Sequence, residues 1–516
     1  MFAQHALFRF LLGMVCCGLL LGLSAPGFNV WPFAWVALVP AFMLCQHLST
    51  WSNRFLAGLC LGASFAGLYY LWFFDLHPLT WLGFVELSSR LVTLAGWLLL
   101  CLETGLITGG LFAVYGLFKG RFKVEWLRAL LFPLTWVWAF SLLNLTPLTL
   151  PWAQLEYTQA HLWPMRWLVA HLSGSGAAVL IVLHSSLWAE VFRSSPVPQS
   201  FLASKFSRIL WQTGMVFLFP ALLSLIDSMW TPFTGTHRPW PIPVGVVQGN
   251  LPIEIIRSGR LNPDMIRRSY FQPLDNWLLP AGTLLVYPEE GVVPGWTTID
   301  KPQANPMLAE LKAVASQRHL YITAGISSQD AENHHYNSLV LISPEPSGLD
   351  KFGGAQFYHK RRLVPFGEFT PYRLGPMITQ ALKKFDVDYT TPYDAGLNSN
   401  LLHAGSVRVG GLICFELIDS APWWDKAGSY AQKYRKAGAD LLINSSNLGW
   451  FHQNPWLEAQ FLAIGQVRAA EAGLPLVISS NTGISAIISD QGKILRQTDP
   501  NRQNQPNSQV IFYNGE

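Results

Sequence analysis

Charge is what this chain has least of. Asp, Glu, Lys and Arg together make up 13% of its 516 residues, where ordinary soluble domains carry about 25%. Cysteine is scarce as well. There are six, at positions 16, 17, 45, 60, 101 and 414, and no Cys-x-x-Cys spacing occurs. Neither a zinc site nor a disulfide framework is therefore expected. The formal net charge of +4 is small and spread along the chain, which gives no case for a nucleic-acid partner. What takes the place of charge is apolar: 50% of residues are hydrophobic and the mean hydropathy is +0.26.

Residues 1–230 hold most of that apolar content. Seven runs come near the ~20 residues needed to cross ~30 Å of hydrocarbon: 6–23, 30–44, 55–74, 91–118, 129–148, 174–191 and 209–229. They predict an α-helical membrane bundle of about seven helices. The second run is short, and Pro26, Gly27 and Pro32 suggest a tight, tilted hairpin. No small-residue cleavage site follows the first run, so it is read as a retained span. If every run crosses, Arg54, Lys119, Arg121, Lys123, Arg128, Arg193, Lys205 and Arg208 lie in loops on one side, with Arg90 and Arg166 opposite. The excess of cations predicts a cytoplasmic N-terminus and an extracytoplasmic remainder after residue 230. Glu103 falls inside the fourth run. It reads either as a lipid or substrate contact or as a protonated or hydrogen-bonded interhelix residue. Trp152, Trp163 and Trp167 are expected in an interfacial belt.

From residue 240 to 516 the pattern changes to short β-rich runs alternating with helical ones. Strands are expected at 243–247, 283–287, 320–324, 338–342, 407–413, 441–444, 475–479 and 485–488, and helices at 305–317, 429–438 and 457–472. That alternation predicts one domain of α/β layers. The tail after Gln497 is polar and expected to be poorly ordered.

Cys414 ends the apolar stretch Val409-Gly-Gly-Leu-Ile-Cys414 and is the one cysteine outside the apolar half. It is a candidate nucleophile, or else a buried core cysteine. Glu289 follows an expected strand in Tyr287-Pro-Glu-Glu290, and reads as a base or as a solvated turn residue. Lys360, in Tyr358-His-Lys-Arg-Arg362, reads as an oxyanion partner or as part of a basic surface run. The three types suit acyl chemistry. A thiol of pKa ~8.5 is mostly protonated at neutral pH. A carboxylate can take its proton, and an ammonium can hold the oxyanion that forms when a carbonyl is attacked.

Glu, Lys and Cys in this order, after the opening Val244-Gly-Val-Val-Gln-Gly-Asn250, resemble the nitrilase superfamily. Tyr358-His-Lys-Arg-Arg-Leu-Val-Pro-Phe-Gly-Glu-Phe369, Cys414-Phe-Glu416, Arg468-Ala-Ala-Glu-Ala-Gly473, Asn481-Thr-Gly-Ile-Ser485 and the hairpin Ala25-Pro-Gly-Phe-Asn-Val-Trp-Pro32 resemble its membrane-embedded branch, the apolipoprotein N-acyltransferases. The resemblance spans nearly the whole chain. It implies a polytopic helical bundle, residues 1–230, followed by a nitrilase-like four-layer α-β-β-α sandwich, residues 240–516. It implies Glu289 as general base, Lys360 as triad lysine and Cys414 as nucleophile. Glu368, Glu416 and Asn337 match supporting positions. Trp450, Phe451 and Trp456 are candidate lipid or lid contacts, or ordinary core.

The implied reaction moves an acyl chain from a membrane phospholipid, through a cysteine thioester, to the α-amino group of a diacylglyceryl-modified cysteine on an apolipoprotein. The implied place is the bacterial inner membrane, with the catalytic domain on the periplasmic side. No cofactor and no metal are implied. A membrane-tethered amidase acting on a small amide would use the same three side chains. A scaffold with a degenerate domain is the non-enzymatic alternative. The sequence departs from the family at Phe415 and Leu448, and it lacks a Lys-Trp pair after Leu251-Pro252. The last transmembrane helix usual in the family is also expected to be absent, because the final residues are polar.

Overall fold

Apolar, glycine-bearing runs form helices in the first part of the chain, seen here in a computed structural model. It describes residues 2–118, 124–144, 150–193, 211–215, 218–227, 229, 240–257, 260–345, 355–371, 375–383, 393–421, 425–499 and 508–515. The chain divides into a helical unit, residues 1–74, 91–237 and 420–426, and an α/β unit, residues 75–90, 238–419 and 427–516.

In the helical unit, helices cover Phe2–Gly22, Phe33–Val36, Leu38–Gln46, Trp51–Tyr69, Glu125–Ser141 and Trp163–Arg193, along with most of Glu86–Phe118. Among the described residues, three helices are long and apolar enough to cross a membrane: Glu86–Leu117, Trp126–Asn144 and Trp163–Phe192. Thr50 starts the helix at 51–69 by accepting the backbone N–H of Asn53. Gly62 on that helix lets the helix at 86–118 come close, since a Cβ there would sit 1.9 Å from Thr108 Oγ1. Small residues of this kind are how helices approach each other in lipid. The sixth expected run, 174–191, starts at a real break, because Ser173 (φ 64°) kinks the helix at 163–193.

One sequence expectation is corrected here. Arg128 is not a loop cation. It lies inside the helix at 125–141, buried, and its Nη2 stands 3.1 Å from Glu190 Oε2 on the helix at 163–193. A charge among apolar helices is tolerable only when paired. Trp152 is buried against Trp72, with ring centroids 5.3 Å apart. Lys119, Arg121, Lys123, Lys205 and Arg208, on which the expected orientation leans, lie outside the described residues.

In the α/β unit the strands are β1 (Val244–Gln248), β2 (Leu284–Val286), β3 (Val293–Thr298), β4 (Tyr321–Gln329), β5 (His335–Ile342), β6 (Ala355–His359), β7 (Leu402–Ala404), β8 (Val407–Ile413), β9 (Leu441–Ser446), β10 (Leu476–Ser480), β11 (Ala486–Ile488), β12 (Ile494–Gln497) and β13 (Gln509–Tyr513). One sheet has the order β13-β1-β2-β4-β5-β6, with β3 also paired to β4, and the other runs β12-β11-β10-β9-β8-β7. Small side chains let the sheets pack closely: the Ser445 hydroxyl donates to Tyr287 O at 3.1 Å and that of Ser479 to Val286 O at 3.2 Å. On the first sheet's outer face, Met307, Leu308 and Leu311 of the helix Pro306–Arg318 join a core with Leu285, Ile322 and Val340. The second sheet carries the helices Tyr430–Lys436 and Pro455–Ala472. The order of layers is therefore α-β-β-α, as in the nitrilase-like fold.

The tail is a further correction. Residues 509–513 form β13, antiparallel to β1 with Val244 opposite Tyr513. The segment is apolar and aromatic within a polar tail, Gln509-Val-Ile-Phe-Tyr513, and its pairing with a buried strand orders it.

The topology gathers the site. Strands β1, β2 and β4 are mutually parallel. β5 reverses against β4, and β6 reverses again. β2 and β6 therefore end on the same side of the first sheet, and β8, β9 and β10 run parallel in the second. Loops at such strand ends are where layered α/β folds hold reactive side chains.

Candidate active site

Glu289 stands just past the end of β2, Lys360 follows the last residue of β6, and Cys414 follows the last residue of β8. The close approach of β4 to Glu289 requires a glycine: a Cβ on Gly325 would lie 2.5 Å from Glu289 Cα. Beside it Glu290 takes a positive φ of 59°. Cys414 also has positive φ, 44°, at the start of the 3-10 turn Cys414–Ile418. A non-glycine residue in that region is strained, and such strain concentrates at functional sites.

The charged groups form one buried cluster. The Lys360 ammonium, 1% exposed, lies 3.3 Å from Glu289 Oε1 and 2.8 Å from Glu368 Oε1. The Asn337 amide donates to the same two oxygens, at 2.6 and 2.7 Å. The remaining oxygen of Glu368 accepts the backbone N–H of Val364 at 2.8 Å, which fixes the Pro-Phe-Gly turn. Two carboxylates thus share one ammonium and one amide.

Burial is the main cause lifting the Glu289 carboxyl above the ordinary glutamate value. Lys360 pulls it down, whereas Glu368 and Glu290 add to the rise. Burial works against the Lys360 ammonium, but Glu289 and Glu368 outweigh it and hold the lysine above its usual value. The Cys414 thiol is pushed well up, first by burial and then by Glu289. Lys360 and a hydrogen bond from the Asn447 N–H act in the opposite direction. At neutral pH the resting sulfur is a thiol, so the attack needs a base at the moment of reaction.

The supporting residues separate into two groups. Glu368 and Asn337 touch Glu289 or Lys360 directly. Glu416 stands apart and pins the scaffold, with its carboxylate accepting the Tyr358 hydroxyl at 2.7 and 2.8 Å and the backbone N–H groups of Ile413 and Arg361 at 2.8 Å each. It ties the turn of Cys414 to the strand end of Lys360. Asn444 adds a hydrogen bond to Cys414 O at 3.2 Å. Trp450 lies half-buried over Gly367, its ring 3.3 Å from where a Cβ would be. Phe451 closes the same 3-10 turn, and Trp456 opens the helix at 455–472; both are half-buried.

Sequence reasoning missed Arg257, Glu290, Tyr358, Tyr393 and Asn447. The Glu289-Glu290 doublet was a signal for one of them. Asn447 heads the loop after β9, a strand that ends beside Cys414's own.

The family model described as "Apolipoprotein N-acyltransferase N-terminal domain" matches residues 17–188, and that described as "Carbon-nitrogen hydrolase" matches residues 281–505. The chain is 28% identical to an apolipoprotein N-acyltransferase of Thermosynechococcus vestitus, over 92% of this chain and 84% of that one. It is 26% identical to those of Gloeobacter violaceus (93% and 84%) and Geobacter metallireducens (97% and 89%).

Proposed function

The chain belongs to the apolipoprotein N-acyltransferase family, and from that premise we propose that Glu289, Lys360 and Cys414 carry its acyl transfer by a ping-pong route. The observation that supports this reading is the buried Glu289–Lys360–Glu368–Asn337 cluster next to a strained cysteine. Glu289 takes the thiol proton as Sγ attacks an ester carbonyl of a phospholipid. The Lys360 ammonium donates to the oxyanion. The ester C–O bond breaks, and the lysophospholipid alcohol leaves with the proton from Glu289. A thioester remains on Cys414. The α-amine of a diacylglyceryl-cysteine on an apolipoprotein then attacks it, Glu289 removes the amine proton, the C–S bond breaks, and the thiol is restored. A positioned base of this kind contributes about 10²–10⁴-fold.

Both substrates are lipid-anchored, which gives one chain reason to carry apolar helices and the reactive site together. We place the protein in the bacterial inner membrane as a multi-pass chain, about seven helices in residues 1–230, with its N-terminus cytoplasmic and residues 240–516 extracytoplasmic. An amidase acting on small amides is not favoured, because the N-terminal half matches the acyltransferase family specifically.

Labelled phospholipid tests the reading. Wild-type protein acquires a hydroxylamine-labile label, and Cys414→Ala does not. A labile label that persists in Cys414→Ala overturns the assignment.

A further inference from the structure

The acyl-transfer reading uses Glu289 and leaves its neighbour Glu290 unexplained. Glu290 is half-buried and held at positive φ. Its Oε1 lies 2.8 Å from Arg257 Nη2. Arg257 ends the short helix Ile253–Arg257, and its guanidinium also lies over the Trp450 ring, 5.6 Å from the centroid. Trp450 in turn covers Gly367, the residue before Glu368. A closed circuit results: Glu289 and Glu290, Arg257, Trp450, Gly367 and Glu368, Lys360, and Glu289 again.

Resting on the acyl-transfer reading, we propose that the Arg257–Glu290 ion pair is a positioning device that sets the charge felt by the catalytic base Glu289 and holds Trp450 over the loop of Glu368. The charge count gives the reason. Glu289 and Glu368 share Lys360, Glu290 takes Arg257, and the Cys414 thiol and the Tyr270 and Tyr393 hydroxyls face these carboxylates. Arg257 is the second cation that this group feels. Burial opposes its charge, yet Glu290, Tyr393, Glu289 and Glu368 together hold it firmly protonated. Glu254, three residues earlier on the same helix, is engaged elsewhere, with its Oε1 3.3 Å from His452 Nε2.

The sign of each change follows. Arg257→Gln deletes a positive charge and leaves Glu290 facing Glu289 alone, so the base becomes harder to ionise. Glu290→Gln deletes a negative charge and makes it easier.

The experiment is the pH profile of label transfer from radiolabelled phosphatidylethanolamine in detergent micelles onto Cys414 of the full chain. The acid limb is expected to move to higher pH by about one unit in Arg257→Gln, and to lower pH in Glu290→Gln. It should return to near the wild-type position in the double variant, and Arg257→Lys should keep it there. A purely structural role predicts losses without opposed shifts. Matching shifts in the two single variants, or an unmoved limb while the thioester still forms, overturns the inference alone. Failure of the wild-type chain to form a thioester overturns the acyl-transfer reading and this inference with it.

Discussion

Glu289 and Lys360 form a buried ion pair 3.3 Å apart, and burial sets what it contributes to stability. Because burial raises the folded-state pKa of Glu289 above its unfolded value, the folded chain holds that proton more tightly. Stability is thus lost as pH rises from the unfolded pKa through the folded one. Glu289→Gln should therefore lose less melting temperature than wild type as pH rises from about 5 to 8, while forming no thioester. An equally steep fall in differential scanning fluorimetry would contradict this. Lys360→Ala is expected to insert and fold in detergent, but to lose acylation by about 10²–10³-fold, the usual effect of deleting one oxyanion donor. Its gel label under saturating phospholipid decides the matter. The placing of these residues at strand ends was legible because Cys414 and Glu289 follow apolar runs and Lys360 lies in a distinctive loop. The pairing of Arg257 with Glu290 was not legible, because a charged pair far apart in sequence leaves no periodic trace.

Among the elements, the turn Cys414–Ile418 depends on Glu416. Its carboxylate gathers a tyrosine hydroxyl and two backbone N–H groups of separate segments. Glu416→Leu would leave those buried donors unpaired, at about 1–3 kcal/mol apiece. The expected result is a sharp drop in thermal stability together with faster maleimide labelling of Cys414, as the turn loosens. Unchanged labelling in a folded variant would show that the turn holds itself. The strands bearing the site were readable from apolar runs bounded by turn residues. β6 was missed: its sequence, Ala355-Gln-Phe-Tyr-His359, carries a polar residue and a histidine, and it lies at the edge of its sheet. β13 was missed because its order comes from pairing with β1, a partner over 250 residues away in the chain.

Across the whole molecule, composition announced a membrane-type half and an α/β half. It could not show which arginines leave the loops and pair inside. Arg128→Leu takes away the ionic partner 3.1 Å from the Glu190 carboxylate, and breaking a buried pair on one side costs about 3–5 kcal/mol. The double variant Arg128→Leu/Glu190→Leu should recover most of that loss in detergent melting curves. No recovery would mean that the loss does not come from the broken ion pair.

Residues 75–90 belong to the α/β unit although they come from the middle of the helical half, and residues 420–426 belong to the helical unit although they follow the cysteine turn. Asp75 accepts hydrogen bonds from His452 through its carbonyl and from Asn454 through its carboxylate, just after the turn that carries Trp450. The polypeptide thus passes from one unit to the other five times. Anyone wishing to prepare the reactive portion as a detergent-free fragment cannot obtain it with a single cut near residue 235. Such a fragment would leave behind the strip that steadies Asn454 and would carry away a loop that belongs elsewhere.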